Sequence, residues 1–325
     1  MASLVIFNPE HDFALAVGSG PYTPPGSVIH LRKKLALLSA LWADGSDFIL
    51  LPPDLSLRDL PGLPYHDVFL SKGLRPIYLP DIAGISSEIE AVEPWGWDFA
   101  LCRSLAEAGL DSSLLPSEET LYHIRRLSHR NFTFLFRREI DCFLNREGMM
   151  TGEEAFTTDD VEDFLLRHPA AFLKAPWSSS GRGIVASDHI SRKGLMEWSS
   201  GILRRQGSVI CEPRWDKVID FASEWKVTDG EAHFLGWSVF ETSLRGKYHG
   251  NMNLPQPEII SFIEGKTSES LSDILQAQKI ALGKHVAPFY SGLLGIDMLA
   301  DTRGRIHPCI EINLRRTMGH IYLIF

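Results

Sequence analysis

Between Phe172 and Ser187 the chain reads Phe-Leu-Lys-Ala-Pro-Trp-Ser-Ser-Ser-Gly-Arg-Gly-Ile-Val-Ala-Ser. Apolar residues at Phe172–Leu173 and Ile184–Ala186 flank a polar, small-residue stretch, the pattern of strand, turn and strand. The turn holds Ser178, Ser179, Ser180, Gly181, Arg182 and Gly183. Small residues let backbone N–H groups approach an anion, and successive amides in such a turn form an anion-binding nest. Lys174, at the end of the first strand, brings an ammonium within reach of a phosphate, and Arg182 adds a second cation. No helical pattern follows and no Gly-Lys-Ser/Thr tripeptide is present, so this is not a Walker A loop. A flap of this kind covers a nucleotide as a lid; a plain surface hairpin fits the segment as well.

A second constellation lies near the C-terminus. Gly295 to Asn313 alternates around the turn cluster Asp301-Thr302-Arg303-Gly304 and reads as a hairpin centred near Arg303. Residues two apart on a strand share a face, so Glu311 and Asn313 project together, and the hairpin brings Asp297 opposite them. Two carboxylates and an amide oxygen make a hard-oxygen site suited to Mg²⁺ or Mn²⁺ held between protein and phosphates. Set among Ile310, Ile312 and Leu314, those polar groups would be costly without a cation or partners. The alternative is a polar face on an amphipathic hairpin.

Taken in order, these segments resemble the ATP-grasp superfamily, with a metal-motif spacing similar to its D-alanine–D-alanine ligase branch. Lys174 with the Ser178–Gly183 loop matches the lysine and phosphate lid, and Asp297, Glu311 and Asn313 match the metal triad. The resemblance covers residues 115 to 320 or so and implies further roles. Ile210, Cys211, Glu212 and Pro213 would form the adenine hinge, with Glu212 on the adenine side. Glu224 would bind the ribose hydroxyls. Arg130 stands where the family usually has a phosphate-binding lysine, a departure that Arg can fill chemically. The implied fold is α/β, an ATP-grasp fold behind an N-terminal pre-ATP-grasp α/β domain. The implied domains are 1–115, 116–207 with the lid, and 208–325 with the metal site. Many relatives continue beyond the metal motif, so a C-terminal element is expected to be absent or short.

The implied chemistry uses ATP and Mg²⁺. A small-molecule or peptide carboxylate attacks the γ-phosphorus, and an amine (or thiol) then displaces phosphate from the acyl phosphate. Arg245, in the polar, Gly-containing stretch Phe240–Asn253, and Arg315, directly after the metal pair, are the candidate catalytic cations. A phosphotransferase acting on a small molecule and a non-catalytic nucleotide-binding protein are the alternatives. Many relatives are dimers, so a homodimer is among the implied assemblies.

Other residues carry less specific signals. Asn8-Pro-Glu-His-Asp12 directly follows the first strand, where open α/β sheets bind ligands; helix capping explains the same residues. Glu93-Pro-Trp-Gly-Trp-Asp98 reads first as packing.

The elements that must position these groups follow from pattern. Strands are expected at Leu4–Phe7, Phe48–Leu51, Val68–Leu70 and Ile77–Leu79. Helices are expected at Leu31–Ala43, Asp98–Ala108, Asn131–Asn145, Asp159–Arg167 and Ser268–His285. Ser117 and Thr157 or Thr158 are N-cap candidates. The 325 residues suit two or three lobes, and 32 basic against 41 acidic side chains give a net charge of −9. That balance, with no long basic run, argues against nucleic acid as a partner. No apolar run approaches the ~20 residues of a membrane helix, and the N-terminus lacks a basic region before its apolar run. Cys102, Cys142, Cys211 and Cys309 are scattered, and the last three sit in apolar runs as buried thiols. A cytoplasmic protein is the expectation.

Overall fold

The computed structural model describes residues 2–146, 152–178, 183–242 and 248–324. The chain forms two compact units, one of residues up to Arg125 and one of Arg126–Leu323.

The first unit runs β1 (Ala2–Ile6), α1 (His11–Val17), α2 (Gly26–Lys34), β2 (Phe48–Leu50), α3 (His66–Ser71), β3 (Arg75–Ile77), α4 (Ile82–Ile85), β4 (Ile89–Pro94), α5 (Phe99–Glu107) and α6 (Glu118–Leu127). Its strands pair in parallel in the order β3-β2-β1-β4. Alternation along β1 sends Val5 into one core with Leu37, Ile49 and Phe69, and Leu4 and Ile6 into another with Ile82 and Leu105. A parallel sheet buried on both faces is why β1 reads as a continuous apolar run. Val68–Leu70, expected as a strand, is the middle of α3, because a short apolar run does not distinguish strand from helix. The helix expected over Leu31–Ala43 is α2 followed by a 3-10 turn at Leu38–Leu41. The strand β4 was not foreseen; Glu90 and Glu93 are exposed on this edge strand, and its short apolar signal is diluted by them.

The second unit runs α7 (Phe132–Phe143), β5 (Glu153–Ala155), α8 (Thr158–Arg167), β6 (Ala171–Lys174), β7 (Ile184–Ala186), α9 (Arg192–Gln206), β8 (Val209–Pro213), β9 (Lys217–Thr228), β10 (Glu231–Thr242), β11 (Tyr248–Asn251), α10 (Gln256–Glu264), α11 (Leu271–His285), β12 (Gly292–Asp301), β13 (Ile306–Asn313) and α12 (Met318–Tyr322). Two antiparallel sheets form among the described residues, in the orders β5-β8-β6-β7 and β11-β10-β9-β12-β13. Thr157 caps α8 in a reciprocal box with Asp160, and Ser270 caps α11. Cys211 and Cys309 are buried, and burial pushes the Cys211 thiol up to about 12. Cys142 is exposed, contrary to expectation: it lies near the end of α7, beyond the buried stripe of Phe136 and Ile140. Among the described residues no helix is long and apolar enough to cross a membrane.

Candidate active site

The expected hairpin forms as β12 and β13, with a bulge that decides which residues meet. Leu299 pairs with His307, so a regular ladder would set Asp297 opposite Cys309; the observed partner is Glu311. The irregularity falls between Asp297 and Leu299, opposite Pro308–Ile310, and Pro308 has no N–H to give to the ladder. Gln278 donates to the Pro308 carbonyl at 2.8 Å, and Arg137 donates to the Cys309 carbonyl at 3.1 and 2.7 Å, so the bulged backbone is satisfied from neighbouring helices.

The register then gathers four polar side chains on one face. Asp297 pairs with Glu311, while Gly295 pairs with Asn313 on one side and Glu224 on the other. Directly opposed residues share a face, as do residues two apart, so Glu224, Asp297, Glu311 and Asn313 surround Gly295. A Cβ on Gly295 would stand 2.8 Å from Glu224 Oε2 and 2.8 Å from Thr317 Cγ2, so glycine makes the space for that carboxylate. Burial, followed by the charges of Glu311 and Glu224, raises Asp297 well above the usual carboxylate range; Arg315 and a hydrogen bond with Asn313 oppose this. Such a face favours a cation. Among the described residues no group of three His, Cys, Asp or Glu side chains forms a ready-made metal cage.

Glu224 is not where the ribose expectation put it. It is 1% exposed, accepts from Ser238 at 2.8 Å and from Thr317 at 2.8 Å, and lies 3.1 Å from His320 Nδ1. Both oxygens are committed inside the protein, on the face shared with Asp297, Glu311 and Asn313. The Thr317 amide at 3.1 Å and the Trp225 carbonyl at 3.3 Å assign His320 Nδ1 as acceptor and Nε2–H as donor. Burial holds this imidazole below its ordinary pKa.

Arg130 is engaged within the protein. Its guanidinium donates to the Ala175 carbonyl at 2.6 Å, to Ser178 Oγ at 2.7 Å, to the Ser178 carbonyl at 3.0 Å and to Glu311 Oε1 at 2.7 Å. It therefore fastens the root of the serine–glycine loop to the Glu311 carboxylate. Gly183 closes the loop at φ +73°, where a Cβ would meet Ser178 Cβ at 2.9 Å, and its carbonyl accepts from the Ala175 amide at 2.7 Å. Ser179, Ser180, Gly181, Arg182 and the candidate catalytic Arg245 lie outside the described residues. Arg315 donates to Asn313 Oδ1 at 3.0 Å and to the Arg316 carbonyl at 3.2 Å.

Lys174 and Glu212 form a buried pair. They sit diagonally across the β6–β8 ladder, in which Lys174 faces Ile210 and Glu212 faces Phe172, and their 2.8 Å contact is buried on both sides. Burial alone would raise Glu212, but Lys174, Arg137 and Arg130 outweigh it and hold the carboxyl below the usual range. Ile210 and Cys211 are corrected to core residues. Both are 0% exposed in a strand hydrogen-bonded on both sides, to β5 and β6, so their backbones have no edge to offer an adenine. Glu212 and Pro213 lie at the strand's end, paired with Phe172 and Ala171. Arg137 was missed altogether. It is 1% exposed on α7, whereas Arg130 precedes that helix, and no local signal in the sequence marked it as an inward-facing cation.

Removing one partner of the Lys174–Glu212 pair leaves a buried charge uncompensated, which typically costs about 3–5 kcal/mol. Lys174→Met is expected to destabilise by that order, and adding Glu212→Leu to recover much of it. Urea denaturation of both variants measures this; an unchanged midpoint in the single variant would show the pair to be energetically idle.

No family model matches the chain. A butirosin acyl-carrier-protein–L-glutamate ligase of Niallia circulans is 28% identical over 147 residues, which are 45% of this chain and 32% of that protein. The match thus spans about a third of that relative's length. Biotin carboxylase from Campylobacter jejuni, solved as a β,γ-ATP complex, superposes with a TM-score of 0.58 at 12% identity over 99% of this chain and 67% of that one. N5-carboxyaminoimidazole synthetase from Staphylococcus aureus, solved with ADP, gives 0.55 at 10% identity over 97% and 70%. These likenesses bear out the expected architecture: the chain has the ATP-grasp fold.

Proposed function

We propose that the chain is an ATP- and Mg²⁺-dependent ligase that joins a carboxylate to an amine through an acyl phosphate. One observation carries the reading: the β12–β13 bulge sets Glu311 opposite Asp297 beside Asn313, and Arg130 ties that face to the root of the serine–glycine loop. The oxygen donors and the raised Asp297 suit a divalent cation, so Asp297, Glu311 and Asn313 are the residues to hold it. Bound there, Mg²⁺ would neutralise charge on the transferring phosphoryl group.

The chain's own residues do the rest by positioning and charge. Arg130 and Lys174 place positive charge around the loop where phosphates would lie. Glu212 orients the Lys174 ammonium and, with Pro213, ends the strand beside which adenine would sit. Arg315, which donates to Asn313, would meet an acyl phosphate. The scheme requires no protein nucleophile. Substrates are a small-molecule or peptide carboxylate and an amine, and a cytoplasmic homodimer is the working assembly.

Incubation with Mg-ATP and panels of carboxylates and amines, read by mass spectrometry, tests this. ADP and phosphate appearing in step with an amide are the expected result. A stable phosphorylated acceptor would replace the ligase with a phosphotransferase, and bound but unconsumed ATP would replace it with a nucleotide-binding protein.

A further inference from the structure

The carboxyl end of β1 carries a group of side chains that this chemistry does not use. Asn8, Glu10 and His11 follow the strand, Tyr22 lies between α1 and α2, Arg32 is on α2, and Asp98 caps α5, all in the first unit. Glu10, His11 and Asp98 are 8%, 1% and 1% exposed. Arg32 donates to Glu10 Oε1 at 2.6 Å, and His11 Nδ1 lies 3.8 Å from Asp98 Oδ2. Asp98 is fully accounted for: Oδ1 accepts from the Leu101 amide at 2.9 Å and Oδ2 from Asn8 at 3.2 Å. Its neighbours are not. Glu10 Oε2, both ring nitrogens of His11, the Tyr22 hydroxyl and Arg32 Nε are buried without a hydrogen-bond partner in the protein.

Buried polar atoms are nearly always paired, because each left unmet costs free energy. Several together, beyond the carboxyl end of a parallel strand, stand where open α/β sheets hold their ligands. Burial and the Glu10 and Asp98 carboxylates raise the Tyr22 hydroxyl, which places it in the same charge field.

We propose that this cluster binds a free amino acid, a small molecule carrying an ammonium and a carboxylate together. The unmet groups are of two kinds. Glu10 Oε2 and one His11 nitrogen accept; the Tyr22 O–H, Arg32 Nε–H and the other His11 nitrogen donate. Two carboxylates against one guanidinium leave a net negative charge, which disfavours a simple anion. A simple cation would leave the donors unmet. A zwitterion meets both sets, its ammonium toward Glu10 and its carboxylate toward Tyr22 and Arg32. The proposal rests on the ligase reading only for the use made of the ligand, as the amine-bearing substrate; binding itself needs no nucleotide.

Calorimetric titration of the full chain with the common L-amino acids, one at a time and without ATP, is the test. At least one is expected to bind saturably, with acetate and methylamine, each carrying one half of the ligand, at least ~10-fold weaker. Tyr22→Phe removes a hydroxyl that makes no hydrogen bond within the protein. Its melting temperature should hold or rise while affinity falls ~10-fold or more. Glu10→Gln should also bind more weakly. No binding by any amino acid, equal binding of the half-ligands, or undiminished affinity in Tyr22→Phe overturns the site. Adding Mg-ATP separates the sources: a bound amino acid that is consumed is a substrate, one that survives is an effector, and either keeps the site. Amino-acid binding without ADP formation sinks the ligase reading and leaves this site standing; amide formation without binding here does the reverse.

Discussion

Glu311→Gln is expected to lower ATP turnover by at least ~100-fold, since a metal-bound phosphoryl transfer draws several kcal/mol from charge neutralisation and each 1.36 kcal/mol is tenfold. The fold should survive. Glu311 is 25% exposed, and a glutamine oxygen can still accept from Arg130. Removing its charge relieves the repulsion that helps raise Asp297 but leaves the buried Arg130 without its counter-charge, so the melting temperature without Mg²⁺ is measured alongside turnover. The loss has two conceivable origins on this geometry, a weakened metal site or a slackened Arg130. A Mg²⁺ titration of turnover separates them. If Glu311 is a metal donor, the variant's half-saturating Mg²⁺ moves upward and excess Mg²⁺ restores part of the rate. If it only anchors Arg130, the rate drops at unchanged Mg²⁺ dependence. Turnover equal to the parent chain would remove Glu311 from the chemistry and take the ligase reading with it.

Much of this site was legible because it rests on period and turn chemistry. The Asp301–Gly304 cluster fixed the centre of the β12–β13 hairpin, and the two-residue repeat put Glu311 and Asn313 on one face. The actual partner of Asp297 was legible only in part. The bulge opposite Pro308–Ile310 moves the pairing by an even step, so it changes the neighbour while preserving the face. What escaped the sequence was which charged groups turn inward to each other. Arg130 read as a phosphate ligand and Arg137 drew no reading at all; the structure spends them on Glu311 and on the Cys309 carbonyl. Glu224 carried a family expectation, and nothing local to β9 says that Ser238 and Thr317 will claim its oxygens. Ile210 and Cys211 failed for a related reason: whether a strand is central or at an edge depends on β5, which lies far from it in sequence. In the first unit, Val68–Leu70 fell to a helix because apolar runs of that length are ambiguous, and the Asn8–Asp12 segment gave position without partners.

Gly319→Ala is expected to be among the most damaging single-atom additions in the second unit. The new Cβ would overlap Glu224 Oε1 and come within 2.6 Å of Ser238 Oγ. Neither neighbour is the loose end of a flexible side chain: Glu224 is 1% exposed and held by Ser238 and Thr317, and Ser238 is 5% exposed. Relief requires moving α12 off β9 or expelling the carboxylate from its hydroxyl partners. The first disturbs Thr317 and His320 of the capping box; the second leaves a buried charge short of hydrogen bonds. Overpacking of this kind typically costs about 1–3 kcal/mol, and an undersatisfied buried carboxylate adds ~1–3 kcal/mol more. The melting temperature should therefore drop by many degrees, with far-ultraviolet dichroism largely retained below the transition. Adding Glu224→Ala removes the obstacle and should return part of the loss, which a double-mutant cycle would read as a large non-additive coupling. Additive losses would mean that α12 already accommodates a methyl group there, and that Glu224 is not the fixed wall beside the proposed metal face that the geometry describes.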